Sequence, residues 1–229
     1  MNQSGASSVD DLAGADGPLQ RAQTVTAEEA VTDSLRRAIR EGVLVPGERL
    51  TQSEIASQLG VSRIPLRDAL RRLEAESLVE IDGHKGARVT VLTVDDVAEL
   101  YEMRIVLEGL CMKYAVDNLS GSTAESLAVL ATASEDDNLE PRAAFNRRRE
   151  FYDELYRHAD RPQMHRTIMQ LRDNVDRYHL LRNRDHAHVA HKQLSEAIAS
   201  SDGELASAVL VDHISEARDD LIKELASTS

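Results

Sequence analysis

The stretch Thr51-Gln52-Ser53-Glu54-Ile55-Ala56-Ser57-Gln58-Leu59-Gly60-Val61-Ser62-Arg63-Ile64-Pro65-Leu66-Arg67-Asp68-Ala69-Leu70-Arg71-Arg72-Leu73 decides the fold. Thr51 to Glu54 has the pattern of a capping box and opens a short helix with Ile55, Ala56 and Leu59 inward. Gly60 ends that helix, and Ser62 is placed to cap a second one carrying Leu66, Ala69, Leu70 and Leu73. Two helices joined by about three residues that include a glycine form a helix-turn-helix. Arg63, Arg67 and Arg71 recur at i, i+4 and i+8. At 100° per residue they fall within about 80° of one another, apart from the leucine stripe. Such a helix suits a DNA major groove, where guanidinium forks pair with guanine O6 and N7 or grip phosphates. The competing reading is a solvated arginine face on an ordinary helix; the turn before it and the hairpin after it favour the first.

Upstream, Thr26-Ala27-Glu28-Glu29 is a further capping box, followed by Val31, Leu35, Ala38 and Ile39 at helical spacing, a stop at Gly42 and a turn at Pro46-Gly47. Downstream, Leu78 to Ile81 and Ala87 to Val91 read as strands around Asp82-Gly83-His84-Lys85-Gly86, a hairpin wing with a basic tip. After a cap at Thr93-Val94-Asp95-Asp96, every strong signal has helical period. The predicted helices cover 95–118, 123–133, 142–159, 163–182, 186–200 and 203–226. The expected fold is therefore mainly α: a winged helix-turn-helix over 25–92 and an antiparallel α-helical bundle over 93–229. Residues 1–24, poor in large apolar side chains, read as a disordered tail.

Composition narrows the class. Of 229 residues 41% are hydrophobic and only 3% aromatic, which favours helices over a β-sandwich. No stretch reaches the roughly 18 apolar residues of a membrane span, and the N-terminus lacks a signal peptide's basic start and apolar run, so a cytoplasmic, membrane-free protein is expected. Cys111 is the lone cysteine, which excludes an internal disulfide and a thiolate-rich zinc site. The net charge of −13 argues against a polyanionic partner until it is mapped. Residues 93–229 hold sixteen basic and twenty-six acidic residues, whereas 27–92 hold ten and eleven, and within 62–72 Arg63, Arg67, Arg71 and Arg72 stand against Asp68 alone.

The run Leu35-Arg36, Ile39, Gly42-Val43-Leu44-Val45-Pro46-Gly47-Glu48-Arg49-Leu50, continuing through Ile55-Ala56 and Leu59 to Glu74, closely resembles the winged helix of the GntR family of bacterial transcription regulators. The remainder resembles the FadR-like branch with its FCD effector domain, through Leu100-Tyr101-Glu102-Met103-Arg104, Leu107-Glu108, Phe151-Tyr152, Leu155, His191, Leu194, Ala197-Ile198, Asp202 and His213. The resemblance implies base or phosphate contacts from Arg63 and Arg67, with Arg71 in the same row. It implies a phosphate contact from Ser62, and backbone or minor-groove contacts from Arg49, His84, Lys85 and Gly86. Gln52 and Ser53 depart from the usual glutamate and arginine, and Ser77 replaces a frequent glycine and should strain a turn.

In the bundle the informative residues are polar ones on apolar stripes, because a buried charge needs a partner. Arg104 shares a stripe with Val97, Leu100, Leu107 and Cys111, as does Glu108; it either pairs with Glu108 or clamps a ligand carboxylate. The family commonly binds small organic acids or acyl compounds there, and many members hold a divalent metal such as zinc with an Asp, a His and two further histidines. By the resemblance His191 and His213 occupy the latter two places, while the former pair falls on Arg148 and Tyr152. Arg148 then supplies the positive charge that a metal gives its relatives, and no cofactor is required; retained metal and purely structural histidines are the alternatives. His186, His188, Arg147 and Arg149 read as solvated. The function expected is a homodimeric, sequence-specific regulator of transcription, a repressor on an inverted-repeat operator of double-stranded DNA, controlled by a small anionic effector. A helical protein-interaction module is one alternative. A metal-dependent hydrolase is another, and lacks a nucleophile, a phosphate loop and a complete metal set.

Overall fold

The computed structural model describes residues 26–83, 86–133, 139–181 and 188–228. Along the chain run α1 (Ala27–Arg40), β1 (Arg49–Leu50), α2 (Gln52–Leu59), α3 (Arg63–Ala75), β2 (Val79–Asp82), β3 (Gly86–Val89), α4 (Val94–Asp117), α5 (Gly121–Ala133), α6 (Pro141–Arg157), α7 (Pro162–Leu181), α8 (His188–Ala199) and α9 (Gly203–Thr228). The caps at Thr26 and Thr93 form as reciprocal boxes with Glu29 and Asp96. The box expected at Thr51 does not. Thr51 holds the N-cap position without a side-chain bond, and its backbone carbonyl takes the N–H groups of Glu54 and Ile55 at 3.1 and 3.0 Å. Ser62 likewise sits at the N-cap of α3 with no side-chain cap bond. Gly60 ends α2 in the left-handed region at φ 65°, which turns the chain sharply enough to set α3 against α2.

β2 and β3 make the expected hairpin, with Val79 opposite Val89 and Asp82 opposite Gly86. A third strand, β1, adds to the other edge of β3 and places Arg49 opposite Arg88, giving the order β1-β3-β2. Two residues carry no alternation, which is why the sequence predicts only two strands. The tip residues His84 and Lys85, the tail 1–24 and His186 lie outside the described residues.

The buried apolar side chains fall into two clusters. One joins Val31, Leu35, Ile39, Leu66, Leu70 and Val89 beneath the sheet. The other joins α4 to α9 and includes Val97, Met112, Phe151, Leu155, Ile168 and Leu210. α4 and α9 approach closely at Gly109, where a Cβ would stand 2.9 Å from Val211 Cγ2. Among the described residues no helix is long and apolar enough to cross a membrane.

The two clusters are bridged by α7. Asn174 Nδ2 donates to the Glu76 carbonyl at 3.0 Å, Arg177 Nη2 to the Thr90 carbonyl at 2.9 Å, and the Leu92 N–H donates to the Tyr178 hydroxyl at 2.7 Å. Asp173 lies 2.6 Å from Arg149 Nη1 on α6 and 3.9 Å from Arg40 Nη1 on α1. Arg149, expected to be solvated, is thus largely covered: α6 packs on α7, whose Asp173 and Asp176 meet the guanidinium.

Ser77, between α3 and β2, adopts φ 59° while its N–H reaches the Glu74 carbonyl at 2.9 Å and Leu78 N–H that of Leu73 at 2.9 Å. A side chain in this region is strained, so Ser77→Gly is expected to stabilise the protein by about 0.5–1 kcal/mol, after allowance for the extra freedom glycine gives the unfolded chain. The urea midpoint should rise; a fall would show that the serine makes a compensating bond.

Candidate nucleic-acid interface and effector pocket

α3 buries Leu66, Ala69, Leu70 and Leu73 completely. Its opposite side exposes Arg63, Arg67 and Arg71. Asp68 stands 3.8 Å from Arg71, whose side chain is still 67% exposed. The row forms one wall of an open groove of about 420 Å³, closed on the other side by the wing and lined also by Gln52, Ile64, Gly83 and Gly86. Gly86 takes φ 87°, the left-handed conformation that lets β3 start directly at the wing tip. The Ser62 hydroxyl, not used by its own helix, lies at the N-terminus of α3, where backbone N–H groups and the helix dipole favour an anion. Arg49 is exposed on β1, beside Arg88, which the Glu80 carboxylate holds at 2.6 and 2.8 Å. Arg63, Arg67, Arg71 and Gly86 therefore line one groove, whereas the register puts Arg49 with Arg88 and Glu80 on the sheet face opposite Ile81.

Within the bundle Arg104 is buried, and its Nε donates to Glu108 Oε1 at 2.6 Å. The other oxygen, Oε2, accepts from Arg172 Nη1 and from the Tyr156 hydroxyl, each at 2.7 Å. Burial alone would push the Glu108 carboxyl up, but Arg104, Arg172 and the Tyr156 hydroxyl outweigh it and hold the group below the usual carboxylate value. Two guanidiniums thus share one carboxylate, with Asp176 acting on both from farther off. The Arg172 guanidinium also lies 4.1 Å from the centre of the Tyr152 ring. Arg172 and Tyr156 are absent from the sequence-predicted set. Arg172 lies on one stripe with Ile168 and Val175, and the same test that singles out Arg104 finds it.

Arg148 is half-buried on α6, one turn from Tyr152, and acts electrostatically on the phenol. His213 is half-buried on α9. His191 belongs to α8, but its side chain lies outside the described residues, as does that of His188. Arg148 and Tyr152, in the places of the family's Asp and His, are poor donors for a divalent metal. A guanidinium has no lone pair to give, and burial pushes the Tyr152 hydroxyl up to about 12, against the ionised form that a metal prefers. Among the described residues no three His, Cys, Asp or Glu side chains gather as a metal would require.

Residues 27–89 match the family described as bacterial regulatory proteins, gntR family, and residues 99–216 match the FCD domain. The HTH-type transcriptional regulator YdhC of Bacillus subtilis (strain 168) is 40% identical over 85 residues, which is 37% of this chain and 38% of YdhC. The gluconate operon transcriptional repressor of the same organism is 37% identical over 78 residues, 34% of this chain and 32% of that protein. The chain thus spans about a third to two fifths of the length of these curated relatives. Among solved structures, E. coli McbR/YncC shares the fold with a TM-score of 0.73 at 24% identity, covering 88% of this chain and 99% of that one. With a gntR-type winged helix followed by an FCD domain that alone spans more than half of its residues, this chain belongs to the gntR family of bacterial regulatory proteins.

Proposed function

We propose that the chain is a sequence-specific DNA-binding repressor of transcription, acting in the cytoplasm as a homodimer. A winged helix over 25–92 reads the operator, and a helical domain over 93–229 dimerises and senses a small organic acid or acyl compound. The observation that carries the reading is the groove between α3 and the wing, lined by Arg63, Arg67 and Arg71. Repression follows the gluconate operon relative. Pairing of two copies gives two-fold related reading heads and so an inverted-repeat operator. Met103, Val106 and Leu110 support it: they lie exposed along one outer face of α4, apolar where a monomer gains nothing from exposure.

The effector reading rests on charge. Arg104 and Arg172 share the Glu108 carboxylate with Asp176 farther off, Arg172 Nε has no acceptor among the described residues, and Arg148 lies beside Tyr152. A carboxylate or phosphate is the complement of such a gathering of guanidiniums. With Arg148 and Tyr152 in the places of metal donors, guanidinium groups bind the anion. The ligand acts through α7, which carries Arg172 on one side and the bonds to the winged helix on another, so that binding favours one placement of the reading heads.

Three measurements test this. Arg63→Ala or Arg67→Ala should weaken binding to a selected operator by about 1–3 kcal/mol and relax specificity at one base position. Equal anisotropy titrations for variant and wild type would remove the recognition helix from the account. Binding of an anionic effector, followed by calorimetry, should survive dialysis against chelator and be abolished by Arg148→Ala with operator affinity intact; one equivalent of tightly held transition metal per chain would return the pocket to metal-dependent binding. Glu108→Gln leaves two buried guanidiniums without their counter-charge and should destabilise the protein by about 3–5 kcal/mol in urea. Because the Glu108 carboxyl is held below its unfolded value, this contribution is present at neutral pH and disappears as pH falls below the ordinary carboxylate range.

A further inference from the structure

Ile64 is 73% exposed, more than any other large apolar side chain among the described residues. It occupies the second position of α3, next to Arg63, and lines the groove between α3 and the wing. The fold does not use it, since α3 packs through Leu66, Ala69, Leu70 and Leu73. At 100° per residue Ile64 projects within about 20° of Arg71 and 60° of Arg67, yet lies nearer the helix N-terminus, the end that reaches base edges in a helix-turn-helix. Pro65 fixes the backbone beside it, and a β-branched side chain in a helix has one favoured rotamer. A contact made through Ile64 therefore loses little conformational freedom.

Apart from donors and acceptors, the major-groove edge of the base pairs offers one apolar group, the C5-methyl of thymine. We propose that Ile64 is a specificity-determining residue that packs against the C5-methyl of one thymine in each operator half-site. This rests on the DNA-binding reading above and deepens it: Arg63 and Arg67 supply the hydrogen-bonding forks, and Ile64 supplies an apolar selector beside them. Cytosine offers no methyl there and the purines offer only polar edges, so the contact selects for thymine.

The test uses the full-length protein and an operator enriched from randomised duplexes. Each thymine is replaced in turn by deoxyuridine, which keeps the O4 acceptor and the base pairing and deletes only the methyl. One thymine per half-site should stand out, with wild-type affinity falling about fourfold for one methyl and about fifteenfold when both half-sites are replaced. Ile64→Ala should bind the thymine and deoxyuridine operators equally, and Ile64→Val should keep most of the discrimination. An exposed side chain leaves stability nearly unchanged on truncation, so loss of folding is not expected to intervene. If the wild type is indifferent to deoxyuridine at every position while Arg67→Ala still weakens binding, the role of Ile64 is wrong and the DNA-binding reading stands. If no duplex is enriched at all, both fall.

Discussion

Residues 171–178 of α7 are buried without a break, and five of the eight are polar: Arg172, Asp173, Asn174, Asp176 and Arg177. A helix can hold such a sequence away from water only if each charge meets a partner as it leaves water. Those partners come from separate parts of the chain. Arg172 finds Glu108 on α4, Asp173 finds Arg149 on α6 and Arg40 on α1, and Asn174 and Arg177 find carbonyls that follow α3 and β3. Removing the winged helix would expose or orphan half of this set. The polar core of α7 is thus the reason the two halves of the chain pack as they do. Neighbouring residues of one helix bond Glu108 in the bundle and the carbonyls of the winged helix, so a shift of α7 disturbs both sets of bonds.

The two sides of α7 are not equally firm. Glu108 is held ionised in spite of full burial, because its oxygens accept three short bonds, two of them from guanidiniums. Asp173 shows the opposite balance: burial outweighs Arg149 and Arg40, and its carboxyl is pushed up to about 6. Geometry accounts for the difference. Arg149 Nη1 is 2.6 Å from Asp173 Oδ1 but off the donor axis, so neither atom completes a hydrogen bond, and Arg40 stands at 3.9 Å. A raised carboxyl favours folding at low pH, and this part of its contribution is lost as pH rises through about 6. The side of α7 that meets Glu108 is thus the firmer, and the side that faces the winged helix the looser.

Much of this was legible in the residues because helical period and turn chemistry are local. Leu66, Leu70 and Leu73 declare the buried side of α3, and Gly60 declares its turn. Arg104 is found because a charge on an apolar stripe demands an explanation. What escapes is what tertiary contact decides. Thr51 and Ser62 have the right type and place for capping bonds, yet at Thr51 the backbone carbonyl takes the first-turn N–H groups instead. Arg149 reads as solvated because nothing in α6 announces that the acidic residues of α7 will meet it. β1 is a strand only because β3 offers it an edge.

An acidic chain with a basic reading face must also keep its carboxylates away from that face. Most of the arginines elsewhere in the described residues are ion-paired: Arg36 with Glu76 and Asp33, Arg88 with Glu80, Arg157 with Asp153, Arg172 with Glu108. Arg49, Arg63 and Arg67 have no such partner among the described residues, and Arg71 has only a long contact to Asp68. The described acidic residues therefore leave Arg63 and Arg67 uncommitted, so a phosphate or guanine edge need displace none of them to reach these cations. The surplus of ten negative charges over residues 93–229 adds a long-range term. It repels a polyanion from the bundle and so favours approach by way of the α3 face.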